Sequence, residues 1–109
     1  MSDVAFGELT AFQIDALFVI ASKGGTPEAT ADTAPRGLAI KERLDTEYDE
    51  KVNHGRLYPN LDQLVEQGLV EKDQKDRRTN AYALTEHGVG VLEHRINWED
   101  ECLAAGFSG

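Results

Sequence analysis

Within residues 53–85 the hydrophobic period changes from that of a helix to that of strands. Leu57, Leu61, Leu64 and Val65 stand at i, i+4, i+7 and i+8, which puts them on one stripe of a helix. Asn53 suits the N-cap, because its side-chain oxygen accepts from the unpaired amides of a first turn. Gly68 suits the stop, because a helix commonly ends in a left-handed residue. Pro59 falls inside this segment, and its ring presses on the carbonyl four residues back, that of Gly55. The pattern therefore predicts a helix with a bend or a loosened first turn, not a broken one. After Gly68 the period becomes that of strands. Residues 69–73 and 80–84 read as short strands, and residues 74–79 between them form a polar tip. A helix followed by a hairpin with a basic tip is the layout of a winged helix-turn-helix. There the helix enters a DNA major groove and the hairpin touches the flanking backbone.

The same residues carry a resemblance. Gly55-x-Leu57-Tyr58-Pro59-x-Leu61-x-x-Leu64-x-x-x-Gly68-Leu69-Val70 closely resembles the signature of PadR-family transcriptional regulators. So does Tyr82-x-Leu84-Thr85-x-x-Gly88 after the hairpin. Arg36-Gly37-Leu38-x-Ile40-x-x-x-Leu44 looks like the family's preceding helix, with Arg36 and Leu38 where the family usually has His and Tyr. The match covers residues 36–92, with its elements in the right order. It implies a mainly α fold with a small β-hairpin wing, and a sequence-specific regulator that binds double-stranded DNA. With the acidic composition, the chain resembles a haloarchaeal member of that family, of the RosR type.

Charge is the main objection to a DNA-binding role. The formal net charge is −9, whereas a basic footprint is the expected sign. Its distribution matters more than its sum. Residues 51–80 carry six Lys/Arg against five Asp/Glu, and the rest carries five against fifteen. The acid thus lies mostly outside the DNA-binding half. Excess carboxylate keeps a protein soluble in a salt-rich cytoplasm. High salt also weakens the counterion-release contribution to DNA affinity, which shifts the weight to base contacts, apolar contacts and shape. Without the motif, an acidic soluble protein with no nucleic-acid role would be the better reading.

The 109 residues suffice for one domain with a modest core. No apolar run approaches the length of a membrane span, and no basic region precedes an apolar one at the N-terminus. The single cysteine forms no internal disulfide and suits a reducing cytoplasm, where the chain is expected to reside. The expected division is a first helix over residues 10–22, helix-turn-helix and wing over 33–85, and a C-terminal helix over 86–106.

Thr10 and Gln13 open the first helix as a capping box. From Ala16 to Ala21 that helix is apolar on every side, so it needs cover on more than one face. One small core covers one face, and a second subunit is the natural cover for another. Residues 22–35 are rich in Gly, Pro, Thr and Ala and lack a period, which reads as a mobile surface loop. Thr33 is the expected cap of the second helix, with Pro35 in its first turn. Thr85 is the expected cap of the last helix. That helix carries two stripes: Val89, Leu92, Ile96 and Leu103, and Val91, Trp98, Cys102 and Ala105. The expected homodimer interface takes Phe12, Leu17 and Ile20 from the first helix and Val91, Trp98 and Cys102 from the last.

The recognition helix offers Arg56, Pro59 and Gln63 opposite its leucines, with Asn53 and Asn60 at the edge. Arg bonds a guanine edge bidentately, and Asn or Gln does so with adenine. His54 and the Tyr58 hydroxyl are placed to meet phosphates; a solvated polar face and a packed Tyr58 are the bland alternatives. Lys72, Lys75, Arg77 and Arg78 form the densest basic cluster in the chain and suit phosphate contact. Asp73 and Asp76 dilute it. Acidic neighbours at Glu99, Asp100 and Glu101 would raise the Cys102 thiol pKa, so a small packed residue is the better reading than a redox switch. The histidines His54, His87 and His94 lack metal-ligand spacing, and no nucleophile–base pair is visible. No metal, cofactor or catalytic residue is expected. The competing functional class is a winged-helix protein–protein interaction module that does not bind DNA.

Overall fold

The computed structural model describes residues 8–74 and 79–107. In chain order the elements are α1 (Ala11–Ser22), α2 (Gly37–Tyr48), α3 (His54–Glu66), β1 (Val70–Gln74), β2 (Asn80–Leu84) and α4 (Glu86–Phe107). The fold is a mainly helical winged helix. The hairpin is antiparallel, with Val70 opposite Leu84 and Gln74 opposite Asn80.

The starts of α1, α3 and α4 show how local chemistry sets the boundaries. At α1 the Thr10 hydroxyl accepts from the Gln13 amide at 3.1 Å, and the Gln13 side chain accepts from the Thr10 amide at 3.0 Å. At α3 the Asn53 oxygen accepts from the Gly55 amide at 2.6 Å. At α4 the Thr85 hydroxyl accepts from the Gly88 amide at 3.0 Å and donates to the Gly68 carbonyl at 2.7 Å. One side chain thus caps α4 and satisfies a carbonyl just past the end of α3. Gly68 has φ +77°, the left-handed conformation that ends α3 cheaply only without a Cβ. Pro59 leaves α3 continuous over 13 residues.

α2 starts differently from the expectation. Its N-cap is Arg36, which makes no side-chain capping bond. The Thr33 hydroxyl instead accepts from the Thr30 amide at 2.9 Å, inside the preceding loop. Pro35 lies ahead of the helix, where its carbonyl accepts from the Tyr82 amide at 2.8 Å. Arg36 forms an isolated antiparallel bridge with Ala81. Residues 22–35 are correspondingly tied at both ends. The Gly25 amide donates to the Ile20 carbonyl at 2.8 Å, and the Gly25 carbonyl accepts from the Leu84 amide at 2.9 Å. The segment read as a loose loop therefore joins α1 and α2 to β2, using hairpin-edge groups that would otherwise need water.

The core gathers Leu17 and Ile20 of α1, Ile40 and Leu44 of α2, Leu57, Leu61 and Leu64 of α3, and Leu69, Leu84 and Leu92. α1 packs against α2, α3, α4 and β2, so the chain itself covers more than one of its faces. That corrects part of the expected interface. Phe12, Leu17, Ile20 and Val91 are all buried within the single chain and have almost no surface to give a partner. The core extends along α4 only as far as Leu92, and Gly88 is where α4 crosses closest. A Cβ there would come within 2.2 Å of the Leu69 carbonyl oxygen. Beyond Leu92 the helix runs on into solvent. The radius of gyration, 14.6 Å, reflects this projection, since a compact chain of this length has about 13 Å.

Candidate nucleic-acid interface

α3 buries Leu57, Leu61 and Leu64, and its opposite side is solvent-exposed at Gly55, Arg56, Pro59, Asp62, Gln63 and Glu66. The 3.6-residue period decides which side chains flank that surface. On one flank, Arg56, Asn60 and Gln63 turn toward the start of α1. The Arg56 guanidinium carbon lies 4.1 Å from the centroid of the Phe12 ring, a cation–π arrangement. Gln13, only 5% exposed, donates from its side-chain nitrogen to Asn60 Oδ1 at 3.0 Å and to Gln63 Oε1 at 2.9 Å. Asn60 Nδ2 in turn donates to the Arg56 carbonyl at 2.7 Å.

On the other flank, the His54 and Tyr58 rings lie 5.7 Å apart and tilted. Tyr58 packs onto Gly37 at the start of α2, where a Cβ would come within 2.6 Å of the ring. Arg36, Gly37, Leu38, Tyr58, Thr79, Asn80 and Tyr82 line a recess of about 270 Å³ between α2, α3 and the hairpin. Burial pushes the Tyr82 hydroxyl above its ordinary range, and the nearby Asp62 carboxylate acts in the same direction. Arg36 and Leu38 are both exposed at the rim of the recess.

The structure thus brings Asn53, His54, Arg56, Tyr58, Asn60 and Gln63 onto one helix beside the wing, but it gives several of them prior partners. Asn53 is engaged as the cap. Asn60 has both arms of its amide bonded within the protein, its oxygen to Gln13 and its nitrogen to the Arg56 carbonyl. Lys72 on β1 pairs with Asp62 of α3 at 3.2 Å, which partly neutralises it. Lys75, Arg77 and Arg78 lie outside the described residues. Sequence reading missed Gln13. A Thr-x-x-Gln box announces its local role, but nothing local announces partners 47 and 50 positions away. Among the described residues, no group of three or more His, Cys, Asp or Glu side chains is placed to hold a metal ion. No helix among them is long and apolar enough to cross a membrane.

A second concave surface lies between α1 and α2, with a volume of about 480 Å³, lined by Asp15, Phe18, Val19, Ser22, Arg43, Leu44, Glu47 and Tyr48. Tyr48 donates to Asp15 at 2.5 Å across it. Burial, with the Asp15 carboxylate beside it, pushes the Tyr48 hydroxyl up to about 12.

The chain is similar to hsRosR in a solved complex structure, hsRosR-S1, at 45% identity over 95% of this chain and 82% of that one, with a TM-score of 0.80. It is similar to RosR of H. salinarum grown from NaBr, at 48% identity over 84% and 74% of the two chains and a TM-score of 0.73. The PcaV transcriptional regulator of Streptomyces coelicolor shares the fold, at 21% identity over 93% and 67% of the chains and a TM-score of 0.63. No curated protein matches in sequence. The profile of the PadR-like family of transcriptional regulators matches residues 29–94, more than half of the chain. The chain belongs to the PadR-like family of transcriptional regulators and is of the RosR type.

Proposed function

We propose that this protein is a sequence-specific DNA-binding transcriptional regulator that acts as a homodimer, with α3 in the major groove and the hairpin along the backbone. The observation that carries the reading is the exposed side of α3. Gly55 and Pro59 project little there, so the helix backbone approaches a groove closely, and Arg56 and Gln63 stand beside them to meet base edges. His54 and Arg36 flank the helix at phosphate height, and the basic tip at Lys75, Arg77 and Arg78 extends the footprint by its charge.

The homodimer rests on α4. Ile96, Leu103 and Phe107 are exposed along one of its sides, at 43%, 59% and 87%, and Trp98 and Cys102 along another. Such a concentration of exposed large apolar residues marks an interaction surface. Pairing α4 with that of a second copy covers it, and a two-fold pair is the commonest closed solution. It sets two α3 helices about 34 Å apart, suited to a near-palindromic site.

Selection from a pool of randomised duplexes tests the proposal. One enriched, near-palindromic motif is the expected result. Retention with no sequence enriched rejects specific recognition. No retention at any salt concentration favours the alternative, a protein-interaction module, for which the acidic Asp62 and Glu66 on α3 would be the contact surface.

A further inference from the structure

The amide orientations around Gln13 are fixed by backbone atoms, and this has a consequence for base choice. The Thr10 amide is a donor only, and at 3.0 Å it requires the oxygen of Gln13. The other arm of Gln13 is therefore its amino group. Its two hydrogens serve Asn60 Oδ1 and Gln63 Oε1, at 3.0 and 2.9 Å. At the far end, the Arg56 carbonyl is an acceptor only, and at 2.7 Å it requires the amino group of Asn60. A donor at one end and an acceptor at the other leave a single self-consistent assignment for Gln13 and Asn60. Gln13 is almost fully buried, so water does not substitute for it. Gln63 is exposed, with its oxygen turned inward to Gln13. What it presents outward is its amino group.

We propose that Gln13 is a specificity-setting positioning residue, which holds Gln63 so that it offers only hydrogen-bond donors to DNA and favours guanine over adenine. The inference rests on the DNA-binding reading above. Bidentate recognition of adenine needs a donor and an acceptor side by side on the outward edge of the amide, and here the acceptor is turned inward to Gln13. Guanine presents two adjacent acceptors, N7 and O6, and matches an outward amino group. Asn60 drops out of direct readout and serves as a brace between Gln13 and α3.

The test uses the full chain and the same randomised-duplex selection, run on three proteins. The unmodified chain is expected to enrich guanine at one position of each half-site that depends on Gln63. Gln13→Glu keeps the capping box, since Glu serves that role as well as Gln. It replaces the inward donor with an acceptor, so Asn60 and Gln63 both turn their amino groups inward, Asn60 at the cost of its bond to the Arg56 carbonyl, and the Gln63 oxygen faces outward. At that one position the preferred base is expected to change to one with an amino group, cytosine or adenine. The change in relative affinity is expected to be about tenfold or more, with the other positions unaltered. Gln63→Glu, a surface change, is expected to shift the same position toward cytosine. A merely structural role for Gln13 would weaken binding without changing which base is preferred. If Gln13→Glu leaves the preferred base unchanged, whatever Gln63→Glu does, the proposal is overturned. If the unmodified chain enriches no motif, the DNA-binding reading itself fails, and this inference with it.

Discussion

Arg56 shows what a single residue contributes on this surface. Its guanidinium rests on the Phe12 ring, a planar fork held on a flat platform. Such stacking pre-organises the group, so less conformational entropy is lost when it meets a base edge. Arg56→Ala is expected to cost about 1–3 kcal/mol at the cognate site and to relax preference at one base pair, measured by fluorescence anisotropy on matched and mismatched duplexes. Equal losses on cognate and random DNA would reject direct readout. Tyr48 supplies a test of a different kind. Its hydroxyl donates to Asp15, and Tyr48→Phe is expected to cost about 1 kcal/mol in urea unfolding near neutral pH. The folded pKa is raised from 10 to about 12, so the contribution is full below pH 10 and disappears as pH rises through about 12. The difference between the two proteins should therefore close across that interval, and a constant difference would contradict the assignment. Arg56 was legible in the sequence as a basic residue on a polar helix face. Its platform was not, because Phe12 reads as one more apolar residue of an apolar helix. Only the approach of α1 to α3 shows that Phe12 lies under Arg56.

Elements were legible where a local pattern and the tertiary fold agreed. The caps at Thr10, Asn53 and Thr85 each act on an amide two or three residues ahead, so spacing alone reveals them. The same logic failed at Thr33. Thr30 lies three residues before it and captures its hydroxyl, and the Tyr82 amide draws Pro35 out to the hairpin edge. Competition from a strand more than 40 residues away leaves no local trace. At Pro59 the sequence predicts a bend or a loosened first turn in α3 but no break, and α3 is continuous over 13 residues. The helix persists because three fully buried leucines anchor it, and such packing contributes more than one lost hydrogen bond. Replacing Arg77 and Arg78 together with Ala is expected to weaken binding to every duplex and to flatten the dependence of log affinity on log salt by about two. Titrations at several salt concentrations check it, and an unchanged slope would make the tip a solvated turn.

At the scale of the whole molecule the apolar pattern divides in two. The faces of α1 expected to need a partner are covered from within, by α2, α3, α4 and β2. The sequence shows how much apolar surface α1 carries but not how many neighbours reach it. The second apolar stretch, α4 beyond Leu92, remains exposed, and there the expectation of a partner continues to apply. Trp98, 47% exposed and flanked by Arg95 at 5.9 Å from its ring, is proposed as one anchor, with Leu103 and Phe107 as the others. Sedimentation of Trp98→Ala and of Leu103→Ala/Phe107→Ala at high salt is expected to show a shift from dimer toward monomer. A monomeric unmodified protein would reject the two-fold arrangement.

Competition between two duplexes decides whether this acidic chain reads a DNA sequence through α3. Affinity for the selected duplex is compared with affinity for a scrambled duplex of the same composition, from low salt to molar salt. Two chains per selected duplex are expected. A preference of at least about a thousandfold over the scrambled duplex is also expected, retained as both affinities fall with salt. Equal affinity for the two duplexes at every salt concentration would rule out sequence reading by α3.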